Sequence, residues 1–179
     1  MPEIEIRHVI QDDLSEMIAI DHSYLTDHVL KMELIQEENS IRVEFRNSRL
    51  PREMTIQYPR SEEDLLTSWQ KSTSILVGRI KGKIVSYIGI EEMRPSGIVK
   101  VNDLVVANLN RRHGIASGLI LATENWASKR NNSIVILEMQ MKNNPMINLS
   151  RKLGYSFSGF QNCYFPNHDL ALFFEKHIG

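Results

Sequence analysis

The sequence predicts an α/β fold in which a mixed, mostly antiparallel sheet is flanked by helices. Three observations carry this expectation. Several short runs alternate apolar with polar residues at period two, and others are β-rich and bounded by turn residues. Two later segments repeat apolar residues at helical spacing. The order of elements is antiparallel strands first, then strand–helix–strand–helix–strand–strand. With 179 residues, 42% of them hydrophobic, the chain can bury a sizeable core. No repeat, low-complexity tract or linker interrupts it, so one domain over residues 1–179 is expected.

Each element has a local reason. "IEIRHVI" alternates as a half-buried strand does. Asp12 or Asp13 is placed to cap a following helix, "DLSEMIAIDHSYL", with Leu14, Met17, Ile18 and Ile20 on one face. "SIRVEFRNSRLPREMTIQYP" reads as two strands joined by a turn around Asn47 to Pro51. Ser61 and Asp64 form a capping-box pattern at the head of a short helix. "TSILVGRIKGKIVSYIGIEEM" is a hairpin around Lys81-Gly82-Lys83, and "GIVKVNDLVV" is a third strand beside it. From Gly114 to Arg130 a helix presents Ile115, Leu119, Ala122 and Trp126 inward. "SIVILEM" is a buried strand, and "NNPMINLSRKLGY" a short helix stopped by Gly154. "YSFSGFQNCYF" and "LALFFEKHI" close the fold around a turn at "PNHD".

Composition removes several classes of function. A formal net charge of -1 argues against bulk nucleic-acid binding. The single cysteine, Cys163, allows no intrachain disulfide and points to a reducing compartment. The opening residues lack a basic-then-apolar secretory pattern, and no apolar run is long enough to span a membrane; a cytoplasmic protein is expected. His8, His22, His28, His113, His168 and His177 show no metal-ligand spacing with Cys163, so no metal is expected.

One stretch stands out. In "NLNRRHGIASGLI" two arginines and a histidine precede a helix start, where unpaired N–H groups and the helix dipole are already positive. Such an arrangement suits an anion held on the amides from Arg112 to Ser117, with Arg111 and Arg112 flanking it. Gly114 lets the anion approach and Ala116 keeps the way clear. A solvated basic turn that needs a glycine for geometry is the other reading. Neither a Walker loop nor a dinucleotide fingerprint fits the spacing.

"LVV…RRHGIASGLI" resembles the acetyl-coenzyme A signature of the GNAT superfamily of N-acetyltransferases, R/Q-x-x-G-x-G/A, through Arg111, Gly114 and Ala116. "NNPMINLSRKLGY" resembles the family's second motif, with Asn143, Leu149, Lys152, Gly154 and Tyr155 in register. The chain also resembles, in part, streptothricin acetyltransferases in its element order and ribosomal-protein N-terminal acetyltransferases at "VILEMQ" and "NCYFPNHDLALFF". The resemblance implies acetyl-CoA as cosubstrate and a sheet splayed between its central strands. It implies that backbone groups of Leu104, Val105 and Val106 pair with the pantetheine arm and that the amides of Arg112, His113, Gly114, Ile115, Ala116 and Ser117 hold the pyrophosphate. Asn143 would contact the far side of the pantetheine. On this reading Gly114→Val would lose cofactor with little loss of folding.

Acetyl transfer to an amine needs a proton acceptor and donors at the developing oxyanion, where the amide near Val106 is a candidate. The resemblance nominates Glu138 as base, with Asp103 and Asn102 as the other candidates on the signature strand. The family's usual tyrosine acid is replaced here by Ser150. Ser150 through a water, Tyr155, Tyr164, or a thiolate leaving unprotonated remain the alternatives. The implied acceptor is a primary amine, either a streptothricin-like small molecule or a protein N-terminus; a coenzyme A-binding module that has lost catalysis is the rival. A homodimer paired through the closing strands and a monomer are equally compatible with the sequence.

Overall fold

The computed structural model describes residues 3–179; Met1 and Pro2, at the start of the expected domain, lie outside the described residues. Nine strands and four helices run in the order β1 (Glu5–His8), α1 (Asp13–Ile18), β2 (Tyr24–Glu37), β3 (Ser40–Ile56), α2 (Glu62–Lys71), β4 (Ser74–Ile80), β5 (Lys83–Met93), β6 (Ile98–Val106), α3 (Ile115–Ser128), β7 (Ile134–Gln140), α4 (Asn144–Lys152), β8 (Ser156–Gln161) and β9 (Ala171–His177). Seven strands form one sheet in the order β1-β4-β5-β6-β7-β9-β8, while β2 and β3 form a separate two-stranded ribbon. Every pairing is antiparallel except β6 with β7, as the mixed, mostly antiparallel fold class requires.

The sheet is buried on both faces, so its central strands read as continuous apolar runs rather than strict alternations. Along β4, Ile75 and Val77 join one core with Met17, Leu65, Trp69 and Tyr87, under α1 and α2. Leu76, between them, points into the other core with Ile88, Val99, Leu119, Ile120 and Leu137, under α3 and α4. Local rules hold where the chain is short-range. Lys81 and Gly82, both at positive φ, close the β4–β5 hairpin between Ile80 and Lys83. Ser61 and Asp64 complete a reciprocal capping box on α2. Gly154, at φ 84, follows α4 in the left-handed geometry that stops a helix.

The region from residue 19 to 56 departs from expectation. Helix α1 ends at Ile18 instead of running on to Leu25. Asp21 accepts the Ser23 N–H at 2.9 Å, a local turn that redirects the chain into β2. Asp12 makes no side-chain cap; the Asp13 carboxylate instead accepts the Ile10 N–H and a bidentate pair from Arg7. The turn expected around Asn47 to Pro51 is also absent: β2 and β3 turn at residues 38–39, between Glu37 and its partner Ser40. Pro51 lies within β3, where the register jumps from His28–Arg49 to Thr26–Met54. A proline is tolerated at such an irregularity because no ladder donor is needed there. The ribbon is held to the body by Phe45, packed against Phe157 and Phe160, and by Tyr24, whose hydroxyl donates to Gln140 at 2.8 Å.

Two features of β6 open and line a gap in the middle of the sheet. Its parallel pairing with β7 runs from Ile98–Ile134 to Val101–Leu137 and stops, so the two strands part as they continue to Val106 and Gln140. Opposite β5, the register passes from Ile90–Val101 to Gly89–Asp103, leaving Asn102 as an extra, bulged residue. The bulge shifts the alternation of β6. Val99 and Val101 face α3 and α4, whereas Val105, also odd-numbered, faces α1 and α2.

Glu92 at the end of β5 tests the electrostatics of the frame. Asn132, Arg130 and Arg94 all donate to its carboxylate and pull its pKa from 4.5 to about 2. A depressed carboxylate contributes stability that is complete above its ordinary pKa and is lost as pH falls through the folded one. Glu92→Gln is therefore expected to be less stable than the parent at pH 7, with the two unfolding curves converging toward about pH 2 in acid titrations followed by circular dichroism.

Candidate functional site

Where β6 and β7 part, a wedge opens, and the chain fills it with charge. Past the bulge, Asp103 turns toward α2, and on β7 Glu138 faces the same side; their side chains are 0% and 1% exposed. Burying two carboxylates without a cation is prohibitive. Arg60, just before α2, supplies it, donating to Asp103 at 3.1 Å and to Glu138 at 2.5 Å, and to the Asn102 carbonyl at 3.2 Å. Burial works against its charge, but Asp103, Tyr58 and Glu138 outweigh that and hold the guanidinium above its ordinary pKa.

The remaining oxygens are satisfied in turn. Asp103 accepts from Tyr58 at 2.6 Å and from Ser68 on α2 at 2.8 Å. Glu138 accepts from Tyr164 at 2.6 Å, and the Lys100 ammonium stands 3.6 Å from it and 3.3 Å from Glu91. Burial, and then the Glu138 charge, push the Tyr164 phenol up, so it stays protonated and able to donate. Lys100 is also raised: Glu138, Tyr164 and Glu91 outweigh its burial.

Two hollows flank this cluster. A narrow one, of about 30 Å³, is lined on the α4 side by Leu104, Met139, Gln140, Asn143 and Met146. A wider one, of about 260 Å³, lies on the α2 side among Ser68, Lys71, Glu91, Lys100 and Tyr164. Arg60, Asn102 and Glu138 border both, so the Arg60–Glu138 pair forms the partition.

The turn into α3 is strained in the way an amide nest requires. Arg112 and Gly114 are both left-handed, at φ 63 and 80. Gly118 makes the first helical bond, to the Gly114 carbonyl at 2.9 Å. None of the N–H groups of residues 112–117 has a partner among the described residues. Arg112 and His113 are exposed, Ala116 and Ser117 half-buried, and Ile115 belongs to the core. That free, polarised set fits a pyrophosphate. Arg111 takes a different part from the flanking one expected: its guanidinium donates to the carbonyls of Val106 and Ser23, each at 2.7 Å, and tethers the turn to β6 and β2. Burial lowers its pKa.

The open edge of β6 is likewise narrower than expected. The carbonyls of Asn102 and Val106 already accept from Arg60 and Arg111. By the two-residue period of a strand, Leu104 is the residue that turns its free N–H and C=O the same way. The Val105 side chain lies in the core beneath α1 and α2, away from the wedge. Asn143 caps α4, accepting the Met146 N–H at 3.1 Å, and lines the narrow hollow.

The candidate acids separate. The Ser150 hydroxyl is wholly buried and donates to the Met146 carbonyl at 2.8 Å. Tyr155 donates to Glu124 at 2.9 Å, in the core near α3. Only Tyr164 of the three joins the cluster around Glu138. Sequence reasoning missed Arg60, Tyr58, Ser68 and Lys100. Arg60 carried a signal: like the arginines before α3, it sets a cation just ahead of a helix N-terminus, where the dipole disfavours one. Among the described residues, no group of three His, Cys, Asp or Glu side chains could hold a metal ion.

The fold has counterparts in known proteins. The model of the acetyltransferase (GNAT) family matches residues 42–155. No curated protein matches the sequence significantly. Among solved structures, nourseothricin acetyltransferase superposes with a TM-score of 0.82 at 18% identity, over 98% of this chain and 99% of that one. A protein of Bacillus anthracis str. Ames, assigned as a streptothricin acetyltransferase and in complex with acetyl coenzyme A, gives 0.76 at 19% identity over 98% and 99%. The ribosomal-protein-S18-alanine N-acetyltransferase of Escherichia coli gives 0.70 at 14% over 99% and 95%. At these identities the likeness is one of fold.

Two variants test the geometry. Arg60→Met leaves buried Asp103 without a cation and Glu138 with Lys100 alone, 3.6 Å away, and is expected to cost about 3 kcal/mol in urea unfolding; a loss within about 0.5 kcal/mol would show the bridge to be dispensable. Gly114→Val, expected from sequence to spare folding, places a β-branched residue at φ 80 and is expected from the structure to cost about 1–2 kcal/mol as well.

Proposed function

This chain belongs to the GNAT family of acetyltransferases, and from that premise we propose that it transfers the acetyl group of acetyl-CoA to a primary amine, as one domain spanning the sequence. The observation that carries the reading is the wedge between β6 and β7, with a hollow on each side and a carboxylate–guanidinium partition between them.

The residues fit a carrier with a diphosphate and an amide-bearing arm. The free amides of residues 112–117 suit the diphosphate, and the open backbone of Leu104 suits an arm amide, with Asn143 and Met146 on its far side. The exposed Arg112 adds positive potential there, while Arg111 keeps the turn in place. The thioester, when bound, supplies an activated carbonyl with a thiolate leaving group.

The amine would arrive from the α2 side as an ammonium and must lose a proton before it can attack. Glu138 is the carboxylate that faces both hollows, and we assign it as the acceptor of that proton. Asp103, with three donors of its own, holds Arg60 and Tyr58 in place. Ser150 has its proton engaged by the Met146 carbonyl, so Tyr164 is the better placed donor in this neighbourhood.

The wider hollow, about 260 Å³, is at the small end for a ligand site and favours a small-molecule amine, streptothricin-like in its reactive group, over a long peptide. A second reading, acetylation of a protein N-terminus, draws on the Tyr164–Glu138 contact at 2.6 Å, on the loop that would face a peptide.

Thiol release from acetyl-CoA, measured with spermidine, a streptothricin-type antibiotic and an alanine-initiated peptide, distinguishes the readings. Release with one of the first two only is the expected result. Coenzyme A raising the melting temperature without release from any acceptor would instead mark a module that binds but does not transfer. Glu138→Gln should lower kcat about 100-fold or more while leaving the coenzyme A melting shift intact; an unchanged rate would remove Glu138 from the chemistry.

A further inference from the structure

The bulged residue of β6 has an unused hydrogen-bonding group at the centre of the site. Asn102 is 8% exposed and borders both hollows. Its side-chain nitrogen donates to Glu91 at 3.1 Å. That contact fixes which end of the amide is which, because the reverse placement would set carbonyl oxygen against carboxylate. The other end, Oδ1, is buried and has no partner among the described residues. A buried carbonyl oxygen without a donor has lost its hydration with nothing in return, so such a group is rare unless something else fills it.

The surroundings say what would. Around Asn102, Arg60 is engaged with Asp103, Glu138 and the Asn102 backbone carbonyl, Lys100 with Glu91 and Tyr164, and Tyr58 with Asp103, while Lys71, Thr67 and Asn143 line the same hollows but do not reach Oδ1. The group that completes Oδ1 must bring its own hydrogen, and on the acetyl-transfer reading the acceptor's amine is the N–H donor that arrives in this hollow, whose lining balances Arg60, Lys71 and Lys100 against Asp64, Glu91 and Glu138. An anion without a hydrogen would set acceptor against acceptor at Oδ1, and a quaternary amine has no hydrogen to give.

We propose that Asn102 Oδ1 is the seat of the acceptor's primary ammonium group, holding it beside Glu138 at the partition between the two hollows. The assignment rests on the acetyl-transfer reading for its use in catalysis. One ammonium hydrogen points to Oδ1, a second faces the Glu138 carboxylate that would take it, and the nitrogen is thereby aimed through the gap between β6 and β7. The bulge is what makes this possible. It lifts Asn102 out of the ladder register and leaves its amide in the wedge.

The test uses ethylammonium as the probe, so that it does not depend on knowing the acceptor. Titrated into the 15N-labelled protein, ethylammonium is expected to shift the Asn102 side-chain amide resonances, whereas tetramethylammonium at the same ionic strength leaves them in place. An unmoved Asn102 signal overturns the assignment, whatever the enzyme acetylates. With an acceptor that the wild-type protein turns over, Asn102→Ala should raise acceptor KM about tenfold or more. The coenzyme A melting shift and the acetyl-CoA KM should be unchanged; an unchanged acceptor KM also overturns it. Ethylammonium binding in a protein that releases no thiol with any amine would sink the transfer reading and leave the ammonium seat standing.

Discussion

Two carboxylates on strands that have stopped pairing, and one guanidinium between them, are the constraint around which the rest is arranged. The sheet gives up its ladder after Val101 and Leu137, and backbone groups on both strands need other partners. Arg60 and Arg111 meet part of that need by donating to the carbonyls of Asn102 and Val106. Arg60 at the same time bridges Asp103 and Glu138, with Lys100 as the second cation 3.6 Å from Glu138. The wedge stays open because side chains, not a neighbouring strand, satisfy its edge.

That arrangement also sorts the polar groups by task. Asp103 is saturated by Tyr58, Ser68 and Arg60 and behaves as a fixed strut. Glu138, with donors from Arg60 and Tyr164, borders the hollows on both sides. Ser150 belongs to neither group. A mid-helix serine bonded back to the carbonyl four residues earlier is a packing solution, and the short side chain leaves α4 lying close against Met139 on β7.

Much of the fold is legible in the sequence because it depends on neighbours in the chain. The Lys81-Gly82 turn, the Ser61–Asp64 cap, Gly154 after α4 and the left-handed Gly114 each follow from what one or two residues can do locally. The splay and the turn into α3 are legible as a resemblance, and the backbone geometry supplies its physical basis. The features that escape a sequence reading need a partner far along the chain. Pro51 announces a break that reads as a turn, although the break lies within β3 and the true turn at residues 38–39 carries no glycine or proline. Arg60 becomes meaningful only beside carboxylates 43 and 78 residues away, and Lys100 joins the cluster only through Glu138 on another strand. The bulge at Asn102 is invisible until β5 is laid against β6 to supply the count.

The bulge has a genetic consequence. Because side chains on a strand alternate, one surplus residue reverses the odd–even count for every later position on β6. Delete Asn102, and Val101 and Asp103 would sit on consecutive rungs opposite Ile90 and Gly89: every later side chain would keep its face, but the carbonyl that holds Arg60 and the amide in the wedge would be gone. Insert one residue instead, and Asp103 would turn to the opposite face unless a second bulge absorbed it. The spelling of this strand can drift more freely than its length.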